Sequence, residues 1–311
     1  MSPAARPLPI VWHPDYIASL RPNHPFPMSK YHYLRLALEA RGMMGPGEWF
    51  APAALPALRI AAAHEIGYVD RVIGCTLSAE ETRRIGLPST PAVARRATLS
   101  SAGTLLAARL AMEHGLAVNA AGGSHHAGPD YGSGYCVFND VAVAARALLD
   151  EGLAARILVV DCDVHQGDGT AWIFENDPRV FTFSIHAQKN FPARKAVSDL
   201  DVGLMDGLGD ADYLATLADA LAQALERSAP DFVFYNAGVD PWEGDRLGRL
   251  ALSFDGLRRR DRLVLETIRA RGLPVAAALG GGYSRDPDEL AGRHAILFEE
   301  AAALTGTGAA G

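Results

Sequence analysis

The chain of 311 residues is 49% hydrophobic and 21% charged, a composition that excludes a disordered polypeptide. Its formal net charge of −7 excludes the strong positive field that attracts phosphate backbones, so we expect no direct nucleic-acid partner. With no apolar stretch of roughly 18 residues, no secretory leader and three cysteines without a CxxC pair, the sequence predicts a cytoplasmic protein that does not enter membranes.

The predicted elements alternate between helices and strands along the chain. Ser29 is placed to cap a helix that runs to Arg41, and Ser100 or Ser101 to cap a helix that ends before Gly115. Apolar residues spaced i, i+3 and i+4 predict further helices at residues 138–151, 212–228 and 254–271. Short apolar runs predict buried strands at residues 116–119, 157–160, 180–183, 232–235 and 275–279.

This alternation predicts an α/β fold with a central, mostly parallel sheet flanked by helices on both faces. Pro- and Gly-rich stretches at residues 21–28, 43–56 and 86–91 are interpreted as loops, because helical or strand patterns resume on both sides. We expect one domain over residues 1–311, with a flexible tail at residues 304–311. Ligands of such sheets bind at the carboxyl ends of strands, so polar residues that follow an apolar strand are the functional candidates.

A metal site is predicted after the strand at residues 157–160. Asp163 and His165 are two positions apart, so on an extended segment they point the same way and can bind one ion. Asp240, after another strand, is a candidate third ligand, and one imidazole with two carboxylates suits catalytic Zn²⁺. The alternative is that Asp163 and His165 hydrogen-bond a buried turn, but unpaired buried carboxylates are costly, which favours the metal.

Two adjacent histidines, His125 and His126, follow a Gly-Gly turn at a strand end. Asp161 and Asp168 lie beside the metal pair without being needed as ligands. A carboxylate partner fixes the tautomer of an imidazole and raises its basicity, as a general base requires. Adjacent histidines also occur on ordinary loops, and the sequence leaves that alternative open.

Three glycines and a tyrosine, Gly280-Gly-Gly-Tyr283, follow the last predicted strand. Such a backbone can approach a ligand closely, and the phenol can donate a hydrogen bond to an oxyanion. The alternative is a flexible turn with a surface tyrosine. The segment lacks the Lys-Ser/Thr of a phosphate-binding loop, so a nucleotide site is not expected.

Taken together, the motifs GGSHHA, DCDVHQGDG, NAGVD and GGGY occur in an order and spacing that resemble the histone deacetylase family. The resemblance spans about residues 11–285, and the segments that begin at His24, Ser198 and Glu243 look most like the class IV branch and its bacterial relatives. It implies the arginase/deacetylase fold and a zinc-dependent hydrolase that removes acyl groups, from acetyl to long-chain fatty acyl, from lysine side-chain amides. The implied partner is an acyl-lysine protein or peptide, or a small acyl amide, and a homo-oligomer is left open.

The resemblance assigns a role to each catalytic candidate. It implies that His126, paired with Asp168, is the general base and then the acid that protonates the leaving amine. His125, paired with Asp161, is then an electrostatic partner, although the sequence does not decide which histidine moves the proton. Tyr283 and the metal are implied to hold the oxyanion.

The remaining implied residues bind ions or line the substrate channel. The catalytic ion, Zn²⁺ with Fe²⁺ as the alternative, is implied to take the ligands Asp163, His165 and Asp240. A structural potassium ion is implied at positions that act partly through backbone oxygens, namely Asp161, Asp163, His165, Ser184 and Ile185. The walls of the acyl-lysine channel are implied to be Gly134, Tyr135, Phe191 and Gly281, with core packing as the alternative for the two aromatic residues.

Some positions depart from the family pattern, and other functions stay open. The loop expected at residues 86–96 lacks the acidic residue with which many members grip the substrate backbone, and Tyr135 replaces a common phenylalanine. An enzyme for acetylated polyamines is one alternative, with Glu80 or Glu81 as a candidate gatekeeper, and a catalytically silent acyl-lysine binder is another. A two-metal ureohydrolase is disfavoured because Asp240 has no second carboxylate two positions later. The net charge of −7 favours cationic, lysine-bearing substrates.

Overall fold

A single seven-stranded sheet, parallel at every pairing, forms the centre of the computed structural model, which describes residues 7–43 and 49–306. The strands are β1 (Ile10–Val11), β2 (Leu116–Asn119), β3 (Ile157–Asp161), β4 (Val180–Ala187), β5 (Leu200–Leu204), β6 (Phe232–Asn236) and β7 (Val275–Ala278). Their order across the sheet is β1-β2-β7-β6-β3-β4-β5. The predicted parallel α/β fold is therefore confirmed.

Ten α-helices connect and cover the strands within the described residues. They are α1 (Lys30–Ala40), α2 (Ala57–Ile60), α3 (Ile66–Ile73), α4 (Ala79–Ile85), α5 (Pro91–His114), α6 (Asp140–Asp150), α7 (Asp168–Phe174), α8 (Asp210–Ser228), α9 (Phe254–Arg269) and α10 (Pro287–Gly306). Every residue of β2, β3, β6 and β7 is buried, as expected for strands covered by helices on both faces. None of the helices in residues 7–43 and 49–306 has both the length and the hydropathy to cross a membrane.

The start of α5 differs from the prediction. This helix begins at Pro91 and not near Ser100, because Thr90 accepts a hydrogen bond from the Val93 N–H and proline suits the first helical position. Ser101 lies inside the helix, where its hydroxyl donates to the Ala97 carbonyl one turn back. The loop expected at residues 86–96 is consequently confined to the residues between α4 and α5.

Other boundaries also differ from the sequence prediction. At the other end of the chain, α10 includes residues 304–306, which were expected in the flexible tail, while residues 307–311 lie outside the described residues. Ser29 occupies the cap position of α1, but its side chain accepts no capping hydrogen bond. Part of the loop expected at 43–56, residues 44–48, lies outside the described residues.

Candidate active site

Four strand ends meet in register at one edge of the sheet. Asp161 at the end of β3 is paired with Asn236 at the end of β6 and with Ser184 in β4. Ala278 at the end of β7 is paired with both Asn236 and Asn119, the last residue of β2. The four polar segments that follow these strands therefore converge, as the parallel arrangement predicts.

The candidate metal ligands form one compact, buried cluster. Asp163, His165 and Asp240 each offer a ligand atom, and these atoms lie within 4.8 Å of one another. Nδ1 of His165 lies 3.0 Å from Oδ1 of Asp163 and 3.1 Å from Oδ2 of Asp240. One nitrogen and two carboxylate oxygens at these distances form a donor set that suits Zn²⁺.

Backbone groups hold the two carboxylates of this cluster in place. The Gly281 N–H donates to Oδ2 of Asp163 over 2.6 Å, and the Val164 N–H donates to Oδ1 of Asp240 over 2.9 Å. A Cβ atom at Gly281 would lie 2.1 Å from Oδ2 of Asp240, far inside contact distance. The middle glycine of the GGGY motif is therefore required by its close approach to the candidate ligand Asp240.

The charges of the cluster favour a bound cation. Burial disfavours the charged form of His165, but hydrogen bonds to Asp163 and Asp240 outweigh burial and raise its pKa to about 10. Burial and the negative charge of Asp163 raise the pKa of Asp240 to about 6. Protons thus compensate the buried carboxylates, and a metal ion competes with protons for the same donor atoms.

The two histidines of GGSHHA each hydrogen-bond a different carboxylate. Nδ1 of His125 lies 2.6 Å from Oδ2 of Asp161, and Nδ1 of His126 lies 2.6 Å from Oδ1 of Asp168. Asn236 supports the first pair by donating from Nδ2 to Oδ1 of Asp161 over 2.9 Å. Both imidazoles are therefore held by Nδ1, which leaves Nε2 of His126 as its second nitrogen for chemistry.

The environments of these histidines shift their pKa values in opposite directions. Burial lowers the pKa of His125, but the carboxylates of Asp161 and Asp163 outweigh burial and raise it to about 9. Burial and the positive charge of His125 lower the pKa of His126 to about 4, in spite of its hydrogen bond to Asp168. At neutral pH, His126 is the neutral imidazole that can accept a proton, and His125 is the charged one.

A cavity of about 710 Å³ leads from the surface to His126 and to His165 of the candidate metal cluster. Gly134, Tyr135 and Phe191, all predicted channel residues, line it together with His126 and Tyr283. The Phe191 ring is 45% exposed and lies edge-on to His126 at 4.9 Å, and the rings of Tyr135 and Tyr283 lie 6.0 Å apart. The cavity therefore extends from exposed aromatic rings to the buried catalytic candidates.

Gly281 does not line this outer cavity, although it was assigned to the channel. It lines a much smaller inner cavity of about 30 Å³, which also borders Cys136, His126 and Tyr283. The reason is its close contact with the carboxylates of Asp163 and Asp240.

The sequence matches one protein family over most of its length. The family model of the histone deacetylase domain matches residues 24–296. The chain belongs to the histone deacetylase family. It is also 49% identical over 293 residues to an uncharacterized protein of Picosynechococcus sp., a match that covers 94% of this chain and 98% of that protein.

Named members of the family match over shorter stretches. Histone deacetylase 2 of Arabidopsis thaliana is 35% identical over 187 residues, which cover 59% of this chain and 48% of that protein. Histone deacetylase 1 of Homo sapiens is 33% identical over 180 residues, which cover 54% of this chain and 36% of that protein. The chain thus spans about half of the length of the first and about a third of the second.

A solved structure supports the family fold. The crystal structure of the HDA15 HD domain superimposes with a TM-score of 0.80, covering 96% of this chain and 92% of that one. Sequence identity is 21%, so this likeness concerns the fold, and it confirms the predicted arginase/deacetylase architecture.

The residues assigned to the structural cation lie on two neighbouring strands and the loop after β3. Ser184 pairs in register with Asp161, and its hydroxyl lies 3.0 Å from Nδ1 of His186. The Ile185 side chain is fully buried. The potassium ion that the deacetylase resemblance implies here stays a prediction.

Three residues without an assigned role in the sequence support the site. Asn190 places its side-chain nitrogen 3.3 Å from Nε2 of His165. Asp245 accepts the backbone N–H of Tyr283 over 2.7 Å and pairs with the buried Arg293 over 2.9 Å. The position of Asp245 shortly after the NAGVD motif could have identified it as a site residue from the sequence. Asn190 and Arg293 lie in segments without a motif and could not have been identified in this way.

Proposed function

We propose that this protein is a zinc-dependent hydrolase that removes acyl groups from the lysine side-chain amides of proteins or peptides. The observation that carries the proposal is the placement of the Asp163, His165 and Asp240 cluster beside His126 and Tyr283 at one cavity. Membership of the histone deacetylase family supports the same chemistry.

The donor set fits Zn²⁺, because an imidazole and two carboxylates leave a coordination position for a reactant. Bound there, Zn²⁺ supplies Lewis acidity toward the amide carbonyl and lowers the pKa of water. The Gly281 and Val164 N–H groups orient Asp163 and Asp240 and so position both carboxylates.

His126 is proposed to move the proton. Its Nδ1 is engaged by Asp168, and its lowered pKa keeps Nε2 unprotonated at neutral pH. Nε2 therefore accepts a proton from the attacking water and then donates it to the leaving lysine amine. The positive charge of His125 acts beside it on the negative charge that develops at the carbonyl oxygen.

Tyr283 is proposed to donate its hydroxyl proton to the oxyanion in a hydrogen bond. Burial and the neighbouring carboxylate of Asp240 raise its pKa well above 10, so the phenol stays protonated and able to donate. The hydrogen bond from its backbone N–H to Asp245 fixes the residue in the wall of the cavity.

Among acyl groups from acetyl to long-chain fatty acyl, the small size of the inner cavity favours the short ones. The lysine stem enters through the larger outer cavity, so the acyl group on the other side of the amide extends into the inner one. Its volume of about 30 Å³ is two to three times the roughly 10–15 Å³ that one water molecule needs, so it admits a group of only a few atoms.

The polyamine alternative receives less support from the cavity mouth. Glu81 forms a capping box with Ser78 and pairs with Arg71 over 2.8 Å, and neither Glu80 nor Glu81 lines the cavity. The mouth presents arginines instead, which repel a polycation. A silent binder is also less favoured, since the ligands, the histidine pair and the tyrosine are all present.

Hydrolysis by the zinc-loaded protein tests the proposal. Peptides carrying acetyl-, butyryl- or myristoyl-lysine are incubated with it, and the released acid is measured. We expect turnover that His126→Ala and Tyr283→Phe strongly reduce, with equal folding of both variants verified by circular dichroism. Release of no acid from any of the three peptides would overturn the proposed function.

A further inference from the structure

The mouth of the outer cavity carries an excess of positive charge. Arg83, Arg84 and Arg194 line it, all three are exposed, and none forms an ion pair with a carboxylate anywhere in residues 7–43 and 49–306. Asp168 is the acidic residue among the described lining residues, and its Oδ1 is engaged by His126. The mouth therefore offers guanidinium groups without carboxylate partners.

This local charge is opposite in sign to that of the whole protein. The chain has 36 acidic and 29 basic residues, so its net charge favours cationic substrates. Charges that line a cleft act on the substrate at short range, whereas distant surface charges are screened beyond about 8–10 Å at physiological ionic strength. The arginines at the mouth are therefore better placed than the distant surface charges to act on a charged substrate.

Arg84 is held in a fixed relation to the channel wall. Its carbonyl accepts the Gly134 N–H over 3.3 Å, and the carbonyl of Ile85 accepts the Tyr135 N–H over 2.7 Å. The Arg84 guanidinium also stacks on the Tyr131 ring, with 3.6 Å from Cζ to the ring centroid. A guanidinium stacked on a ring keeps its N–H donors available at the edge, with less freedom to lose on binding.

A purely structural role explains only part of this arrangement. Basic residues in the last turn of a helix interact favourably with its carboxyl end, and Arg83 and Arg84 lie in the last turn of α4. Arg194, in contrast, belongs to the segment between β4 and β5 and reaches the same cavity. Convergence from two separate elements points to a ligand and not to helix stability.

We propose that Arg83, Arg84 and Arg194 select substrates with carboxylates next to the acyl-lysine, namely acidic peptide segments. This inference rests on the proposed lysine deacylase function. Guanidinium and carboxylate groups form paired, charge-assisted hydrogen bonds, which suit arginine better than lysine. The arginines thus take the substrate-gripping role for which the loop between α4 and α5 supplies no acidic side chain.

Three acetyl-lysine peptides that differ only in their flanking residues test the proposal. Aspartate, alanine or lysine occupies the positions on both sides of the acetyl-lysine. For each peptide, kcat/KM is measured with the zinc-loaded protein. The Kd of a fluorescent version of each peptide is measured with the metal-free protein. Each exposed ion pair between an arginine and a carboxylate changes affinity by up to about fivefold. We therefore expect kcat/KM for the aspartate peptide to exceed that for the lysine peptide by roughly 10-fold or more, and this ratio should fall as salt is added.

Charge-reversal variants assign the preference to the mouth. Arg83→Glu with Arg194→Glu should invert the acidic-over-basic ratio, and Arg83→Lys with Arg194→Lys should retain part of it. Arg259→Glu is the matched control, because Arg259 is exposed on α9 and does not line the cavity, so the ratio should stay unchanged. Equal effects of the mouth and control variants would overturn the proposal.

The readouts separate this inference from the proposed function. Turnover of all three peptides without preference overturns the arginine role and leaves the deacylase function intact. Tighter binding of the acidic peptide without any turnover supports the arginine role and overturns the deacylase function. A further arm compares free Nε-acetyl-lysine with its carboxamide. If the free carboxylate is preferred over the carboxamide and the three peptides show no preference, the acidic-peptide proposal is overturned and a small carboxylate substrate takes its place.

Discussion

The imidazole rings of His125 and His126 lie 4.1 Å apart between centroids, yet their pKa values move to about 9 and about 4. The separation in pKa has a simple origin. His125 lies near two carboxylates, Asp161 and Asp163, whereas His126 has Asp168 and the positive charge of His125 next to it. Two like residues in contact thereby acquire opposite shifts in pKa, which favours a charged His125 and a neutral His126 at pH 7.

His126→Ala is expected to reduce kcat by about 10²- to 10⁴-fold, because it removes the proton acceptor from the cavity. His125→Ala should reduce kcat less, since it removes a charge and leaves the proton path in place. Both variants are measured with acetyl-lysine peptide at pH 7, and zinc content is quantified in each. A larger loss from His125→Ala would assign proton transfer to His125 instead.

Gly281→Ala is expected to weaken zinc binding by about 10- to 100-fold, the range for changes in groups that orient metal ligands. The new Cβ would lie 2.1 Å from Oδ2 of Asp240 and 2.8 Å from Oδ2 of Asp163, so the cluster must open. The measurement is zinc affinity by competition with a chelator.

Gly292→Ala is the matched control for that experiment. Gly292 lies in α10, and a Cβ atom added there would have no neighbouring atom within 4 Å, so alanine should stabilise the helix by about 0.5–1 kcal/mol and leave zinc affinity unchanged. Unaltered zinc affinity in Gly281→Ala would mean that the GGGY backbone does not position the ligands.

The stability of the protein is expected to depend on the protonation of His64, away from the metal cluster. Burial lowers the pKa of His64 to about 4 from 6.5, and its ring lies 2.8 Å from the Gly128 carbonyl and accepts the Asn139 N–H. The unfolded chain binds the proton more readily, so the stability from neutral His64 is present above pH 6.5 and is lost as pH falls toward 4.

Complete loss of the His64 contribution lowers the free energy of unfolding by about 3 kcal/mol, because each unit of pKa difference corresponds to 1.36 kcal/mol. It is measured as the difference in free energy of unfolding between the natural protein and His64→Gln, by urea denaturation at several pH values. The advantage of the natural protein should shrink between pH 6.5 and pH 4.5. A constant difference across that range would show that His64 does not titrate with folding.

Much of the fold and site could be predicted because the relevant signals are local. Buried strands such as β3 and β6 are continuous apolar runs, and the polar residues that end them stand next to those runs in sequence. Since parallel strands end at one edge, the convergence of Asp161 and Asn236 follows from the alternation of elements alone. The Asp163 and His165 pair was accessible from spacing for the same reason.

Other features depend on tertiary context and left little local signal. The two residues of β1 are too few for a pattern, and Ser101 has the residue type of a helix cap while it hydrogen-bonds within α5. The charge of the cavity mouth could not be predicted, because Arg84 and Arg194 are 110 positions apart and meet only in the folded chain. The net charge of −7 therefore carries no information about the local charge of the cavity mouth, where three arginines meet.

The size of the inner cavity sets an expectation for the preferred length of the acyl chain. Because the inner cavity measures about 30 Å³, acetyl-lysine should be hydrolysed at least about tenfold faster than butyryl-lysine in kcat/KM, and myristoyl-lysine should be slower still. Cys136→Ala removes a sulfur atom from the wall of this cavity and should narrow the difference. Cys162→Ala is the matched control, since Cys162 is also buried but does not line the cavity. Faster hydrolysis of myristoyl-lysine than of acetyl-lysine would show that the acyl chain occupies a different space, and the outer cavity with its exposed Trp172 and Leu247 would then be its place.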